Sequence, residues 1–204
     1  MKMLSFDTSS DRLSAALFQA DKRLAFYESD APIRHSETLA PILEKVIRKA
    51  GLRPQEIKCV AVGLGPGSFT GLRIAVTTAK VLAYSLKANL VGISSLEAIA
   101  RTGDRDGDFA VLVDAKKFQV YAAIYRKKNK EWKTLQNPAI ILRDDFLKSL
   151  KRGMVVLEDV SPSAVRVAEG VLERIRRKQF DDPFSLEPLY LHPKDCNVSP
   201  SAKK

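Results

Sequence analysis

Two cysteines and two histidines are all that 204 residues offer as soft or borderline metal ligands. Cys59 and Cys196 stand far apart with no CxxC or Cys/His spacing, and His35 and His192 are as remote from each other. Such a set reads neither as a zinc site nor as a disulfide framework. There is no H-E-x-x-H pattern, which removes a zinc protease of that kind. Aromatics make up 7% of the chain and do not interleave the basic runs, so those runs do not read as a single-strand stacking platform. No stretch approaches the ~20 apolar residues needed to cross a bilayer. The N-terminus lacks a signal-peptide pattern, because Asp7 interrupts the short apolar run after Lys2. The cytoplasm is the expected compartment, with Cys59 as a reduced, buried strand residue.

The hydrophobic fraction of 45% and charged fraction of 28% are those of a globular domain, long enough for one large unit or two small lobes. The net charge of +10 suits contact with nucleic acid or an acidic protein. The basic runs are Arg126-Lys127-Lys128-Asn129-Lys130, Arg174-Ile175-Arg176-Arg177-Lys178 and Lys203-Lys204. The first marks a hairpin turn and the second a helix end that complements the macrodipole. Solvated surface is favoured over a dedicated nucleic-acid site in both.

The most informative stretch is Gly63-Leu64-Gly65-Pro66-Gly67-Ser68-Phe69-Thr70-Gly71-Leu72-Arg73-Ile74. It follows the strand-like run Cys59-Val60-Ala61-Val62 and opens into an apolar helix, Val76 to Leu86. Glycines supply positive φ and close approach, and Pro66 presets a turn dihedral. Gly67 is expected at positive φ. Strand, glycine turn and helix start together can present amides to an anion, but no Lys follows Gly71 as in a Walker A loop and no dinucleotide spacing fits. Anion binding and pure architecture are evenly matched on these residues alone.

Periodicity places strands at 2–7, 12–19 and 22–30, then a helix from Ser36 with Leu39, Ile42, Leu43, Val46, Ile47 and Ala50 on one face and Gly51 as its stop. A strand follows at 57–63, then the glycine loop, the second helix, a strand at 90–93, and a third helix started by a capping box, Ser94-Ser95-Leu96-Glu97. The pattern restarts near Phe109, with strands at 110–113, 119–125 and 132–135, a helix around 143–151, a strand at 154–158 and a helix from Pro162 to about Lys178. A three-strand meander followed by alternating helix and strand is the order of an actin-like, ribonuclease-H-like α/β lobe. Residues 1–103 form that lobe and 104–204 a reduced second one with a C-terminal return segment, hinged at Gly103 to Asp108. Ala75, Ala79 and Ala83 make a small-residue ridge that lets a second helix approach closely, either a helix of this chain or one of a partner.

The string Gly-Pro-Gly-Ser-Phe-Thr-Gly followed by Leu-Arg-Ile closely resembles the signature of the TsaB (YeaZ) family, bacterial partner proteins in making N6-threonylcarbamoyladenosine in tRNA. Leu4-Ser5-Phe6-Asp7-Thr8, His35-Ser36-Glu37 with Leu39 and Pro41, Asp114-Ala115-Lys116 with Val120-Tyr121, and Pro188-Leu189-Tyr190-Leu191 resemble further family landmarks in the family's order. Ala75, Lys116 and His192 depart from its usual Gly, Arg and Arg, and the second half is short. The resemblance implies a non-catalytic activating subunit with the two-lobe fold. It would pair through helices one and two with a metal-bearing TsaD-type subunit, dock a TsaE-type ATPase, and meet tRNA through the complex. His35, Ser36, Leu39, Leu43, Ala75, Ala79 and Ala83 are the implied partner residues, and a charge at Ala79 or Ala83 is expected to abolish pairing in a folded monomer. Gly65, Pro66, Gly67, Ser68, Phe69, Thr70, Gly71 and Arg73 form the glycine loop. Arg73 either pins that loop through carbonyls or faces the partner.

The metal-binding histidines of the catalytic sister fall on Ser95 and Ile99 here, so no metal centre of that type is expected. Asp7 and Asp114 are candidates for a degenerate nucleotide cleft. No cofactor is expected, though residual nucleotide affinity stays open, as does homodimer formation by the free chain. The rival readings are an autonomous actin-fold small-molecule kinase or ATPase, and a basic tRNA-binding module.

Overall fold

The computed structural model describes residues 1–29 and 34–191; His192, Cys196 and Lys203-Lys204 lie outside them. The chain opens with three antiparallel strands, β1 (Lys2–Asp7), β2 (Ser14–Gln19) and β3 (Lys22–Glu28). Helix α1 (His35–Lys49) leads to β4 (Cys59–Gly63), and α2 (Phe69–Leu86) leads to β5 (Asn89–Ile93). The resulting sheet has the order β3-β2-β1-β4-β5, with β1, β4 and β5 parallel. Every residue of β4 is buried, as expected of a parallel strand covered on both faces.

A short α3 (Ser95–Ala100) crosses to the second sheet. Strands β6 (Gly107–Lys116), β7 (Gln119–Lys128) and β8 (Glu131–Leu142) form a meander, and α4 (Arg143–Ser149) leads to β9 (Val155–Glu158). Its order, β8-β7-β6-β9, repeats β3-β2-β1-β4 with the same strand directions and, among the described residues, without a fifth strand. Two such sheets, the second reduced, are the actin-like, ribonuclease-H-like α/β architecture. The β7–β8 turn carries Asn129 and Lys130, both at positive φ (50° and 68°), the backbone of a two-residue hairpin; the first basic run does mark that turn.

The last helix, α5 (Ala164–Arg176), does not extend the second sheet. Its Ala164, Val167, Ala168 and Val171 pack with Met3, Ala16, Cys59 and Val91 on the first. The closing segment also returns there, where Asp181 forms a bridge with Leu90. Residues 104–204 are therefore not one structural unit: the first sheet needs α5 to cover its second face. Helix α3 is the keystone. Ala98 packs with the α5 cluster, while Leu96, Ile99 and Ala100 pack with Phe109 and Val111 of the second lobe.

Several boundaries differ from expectation. β8 runs well past Leu135, because Asn137-Pro138 reads as a breaker whereas an edge strand has no ladder bond to lose on its outer side. The capping box at Ser94 does not form. Ser94 Oγ instead donates to the Gly65 carbonyl at 3.3 Å, and Glu97 pairs with Arg101 at 2.6 Å. Helix α2 starts at Phe69 rather than Val76, because Ser68 Oγ accepts from Gly71 N at 3.2 Å and caps it.

The return segment is clasped at Asp181. Its carboxylate accepts from Gly92 N at 2.7 Å and from both terminal nitrogens of Arg174 at 3.1 and 2.7 Å. Asp181→Ala strands a backbone donor and a partly buried guanidinium, so a loss of about 1–3 kcal/mol is expected. Thermal unfolding checks it, and a melting temperature equal to wild type would show that the clasp holds nothing.

Candidate functional site: the glycine loop and the outer face of helix two

Asp7 ends β1 at 1% exposure. Its Oδ1 accepts from Ser9 N at 2.7 Å and its Oδ2 from Ser95 Oγ at 2.6 Å. Ser95 Oγ in turn accepts from Gly65 N at 2.9 Å, and Ser95 N donates to the Gly65 carbonyl at 2.8 Å. One buried carboxylate thus holds the β1–β2 loop, the glycine loop and the start of α3. Burial pushes the Asp7 carboxyl above its ordinary range, against the hydrogen bonds from Ser95 and Ser9 that favour the ionised form.

The glycine loop is fastened on its inner side. Ser68 N donates to the Ser9 carbonyl at 2.7 Å, and Thr8 Oγ1 donates to the Gly71 carbonyl at 2.8 Å. Amides of Gly65, Ser68 and Gly71 are therefore committed to internal acceptors, which favours architecture over an anion cradle. Positive φ falls on Gly65 (88°), not on Gly67. Gly67 is required for a different reason, since a Cβ there would run into the Ser9 carbonyl. Sequence identifies the glycines but not which constraint each one meets.

His35, half-buried at the start of α1, donates from Nε2 to the Ser10 carbonyl at 2.8 Å, which can only accept. Helix α1 is thereby tied to the β1–β2 loop. Asp114 does not join Asp7. It is exposed and accepts from Lys116 N and Lys116 Nζ, both at 2.8 Å, and those bonds hold its carboxyl below the usual range. The two carboxylates share no partner, and Asp7 is bound to the loops rather than presented to a phosphate.

The expected partner residues divide sharply. Ala75 and Ala79 are at 0% exposure and Ala83 at 2%, in a core shared with Leu39 and Leu43 of α1 and with the first sheet. The ridge does admit a close helix, but that helix is α1 of this same chain. A charge at Ala79 or Ala83 would be buried without a partner, so it tests folding and not pairing. Leu39 and Leu43 are likewise inward, whereas Ser36 is exposed.

The outer side of α2 carries what the ridge argument missed. Phe69, Val81 and Tyr84 are 55%, 59% and 67% exposed. The closing segment lies beside them. Tyr190 lies tilted at 5.3 Å from Phe69, Phe184 meets Tyr84 edge-on at 5.6 Å, and Lys80 Nζ donates to the Phe184 and Leu186 carbonyls at 3.4 and 3.2 Å. Arg73 pins no loop carbonyl. Its guanidinium lies 3.9 Å over the Phe69 ring and Nε donates to Tyr190 Oη at 3.2 Å. The apolar run late in α2 was the available signal for an apolar outer side, although Thr77, Thr78, Lys80 and Ser85 interrupt it; a return segment was expected, but not its course beside α2.

Among the described residues no cluster of His, Cys, Asp and Glu could hold a metal ion, and no helix is long and apolar enough to cross a membrane. Cys59 is buried in β4, where desolvation pushes its thiol up to about 12, too high to act as a nucleophile.

This is a two-lobed actin-like protein with a buried carboxylate at the end of its first strand locked into its own loops. A family model, TsaD: tRNA N6-adenosine threonylcarbamoyltransferase, matches residues 29–179. The tRNA threonylcarbamoyladenosine biosynthesis protein TsaB of Bacillus subtilis is 35% identical over 74% of this chain, and that of Escherichia coli 32% over 69%. The matches span 66% and 62% of those relatives' own lengths. TsaB of Buchnera aphidicola (Schizaphis graminum) is 30% identical over 77% of this chain and 78% of its own. YeaZ from Pseudomonas aeruginosa, 21% identical, superposes with a TM-score of 0.83 over 93% of this chain and 99% of that one, and so shares the fold. The chain belongs to the TsaB (YeaZ) family.

Because the native Asp7 carboxyl keeps its proton to higher pH than in the unfolded chain, stability falls as pH rises from the unfolded value through the native one. Asp7→Asn has no such proton. Lowering the buffer from about pH 7 to about pH 4 should shift the difference in melting temperature toward wild type; a difference indifferent to pH would sink this account. Gly67→Ala is expected to cost about 1–3 kcal/mol through overpacking against the β1–β2 loop. Denaturant unfolding reads that loss, and unchanged stability would mean the loop yields freely.

Proposed function

We propose that this chain is the non-catalytic, activating subunit of the complex that forms N6-threonylcarbamoyladenosine in tRNA. It pairs with a metal-bearing TsaD-type subunit, and a TsaE-type ATPase docks on the pair. Within that assembly the threonylcarbamoyl group passes from threonylcarbamoyl-adenylate to N6 of an adenosine in tRNA. The names of the curated relatives place them in this biosynthesis.

The observation that carries the reading is the outer side of α2, where Val81 and Tyr84 stay exposed beside Phe184 (77%) after the chain has used its own strap. A cluster of exposed large apolar side chains on a rigid helix is the core of a partner surface. A stable pair needs about 1,200–2,000 Å² of buried surface, so the flanking exposed positions of α1, such as Ala40, Pro41 and Glu44, belong to the same face. Binding there biases the partner only by as much as this chain prefers its competent conformation.

The non-catalytic role is supported by what fills the sister's metal positions. Ser95 is committed to Asp7 and Gly65, and Ile99 is 1% exposed in the core. The kinase reading needs a carboxylate free to meet a nucleotide phosphate, and Asp7 is engaged on both oxygens.

Val81→Asp should leave the melting temperature of the monomer near wild type and weaken pairing with the TsaD-type subunit by about 30-fold or more, the size of a hot-spot loss. Light scattering after gel filtration of the mixed proteins reads it. Undiminished one-to-one pairing by a folded Val81→Asp would move the interface off α2.

A further inference from the structure

The β6–β7 hairpin ends in a turn whose sequence works against its backbone. Lys116, Lys117 and Phe118 follow one another at φ 68°, 53° and 62°. Left-handed backbone costs a non-glycine residue roughly 1–2 kcal/mol, and a two-residue hairpin turn is ordinarily given to Asn and Gly for that reason. The other long hairpin in this lobe does place Asn129 in such a turn. Here a bulky aromatic occupies the position instead, and its side chain is 92% exposed, more than any other large hydrophobic in the described chain.

The tip is nonetheless fixed. Arg143 N donates to the Phe118 carbonyl at 2.9 Å, and Arg143 is itself held by Glu158 through two bonds of 2.7 and 3.1 Å. Asp114 anchors Lys116 through both its amide and its Nζ. Lys117 makes no ion pair among the described residues. A rigid turn thus carries a bare aromatic face with an unpaired cation next to it. An anchor for a protein pocket would sit in an apolar surround that excludes water. Lys116, Lys117 and Asp114, all exposed, share the turn with Phe118, and the half-exposed Leu142 precedes Arg143, whose amide meets the Phe118 carbonyl; the two lysines beside the ring suit a ligand that is flat, apolar on its faces and negatively charged along its edge.

We infer that Phe118 and Lys117 form a contact for a single-stranded stretch of RNA, a base stacking on the Phe118 ring and a neighbouring phosphate meeting the Lys117 ammonium. The pairing of a π-face with a cation is the common means of holding unpaired nucleotides, and the +10 charge of the chain favours the same ligand. This inference rests on the proposed role in tRNA modification. It assigns to this subunit a direct hold on the nucleic acid, at two lysines and an aromatic that lie outside the basic runs.

The test uses the full chain and a fluorescein-labelled RNA hairpin with an unpaired loop, followed by fluorescence anisotropy across a salt series. Phe118→Ala should weaken binding about 5- to 100-fold and Phe118→Trp should keep it, since every base can stack on either ring. Lys117→Gln should lower the slope of log affinity against log salt by about 0.7. The same proteins are run against the TsaD-type subunit by light scattering. Pairing intact in Phe118→Ala with RNA binding lost supports the contact. Pairing lost with RNA binding unchanged makes the tip a protein anchor and overturns it. It is also overturned if wild type prefers the loop no more than a duplex of the same stem, or if Phe118→Ala binds as wild type does. Failure of wild type to pair at all speaks against the activating-subunit reading and leaves the RNA result readable by itself.

Discussion

The Asp7 carboxylate is the point on which the first lobe turns. Alone it would be a costly group to bury, and its desolvation is visible in the raised proton affinity. It is tolerated because two donors from different parts of the chain converge on it, one from the β1–β2 loop and one from the first turn of α3. Ser95 then passes the constraint to Gly65, and Gly65 sets the course of the loop into α2. Helix α2 is therefore aimed by a hydrogen-bond chain that starts at the end of β1. The chain commits both carboxylate oxygens to its own architecture.

The second half covers the first lobe as well as carrying the β6–β7 tip. α5 closes the far face of the first sheet, Asp181 clasps the strand edge, and the closing segment runs beside α2. Among the described residues the internal repeat β8-β7-β6-β9 has one strand fewer than the first sheet, and the segment after β9 returns to the first lobe.

Exposed apolar groups occur in two different settings. On α2, Val81 and Tyr84 are exposed one turn apart, and Tyr84 meets the exposed Phe184. At the β6–β7 tip, Phe118 stands beside two lysines on a left-handed turn. Shared exposure does not mean shared purpose, and the chemistry of the surround separates the two.

Much of this is legible in the amino-acid sequence alone, through local chemistry. The period of Leu39, Ile42, Leu43, Val46 and Ile47 fixed the inner face of α1, Gly51 (φ 70°) its stop, and the order of strands and helices the fold class. The glycine string and the landmarks around it placed the family. These features depend on neighbours in sequence, so sequence suffices. What required the tertiary structure was every choice between equivalent uses of the same residue. Ala75, Ala79 and Ala83 invite a close helix without saying whose. Ser94 to Glu97 can cap or can reach elsewhere, and here Ser94 turns to Gly65 and Glu97 to Arg101. Gly67 is constrained by the Ser9 carbonyl and not by its own φ, a contact between loops nearly sixty residues apart. Long-range packing decides such cases, because burial and hydrogen-bond satisfaction are settled only when distant segments meet.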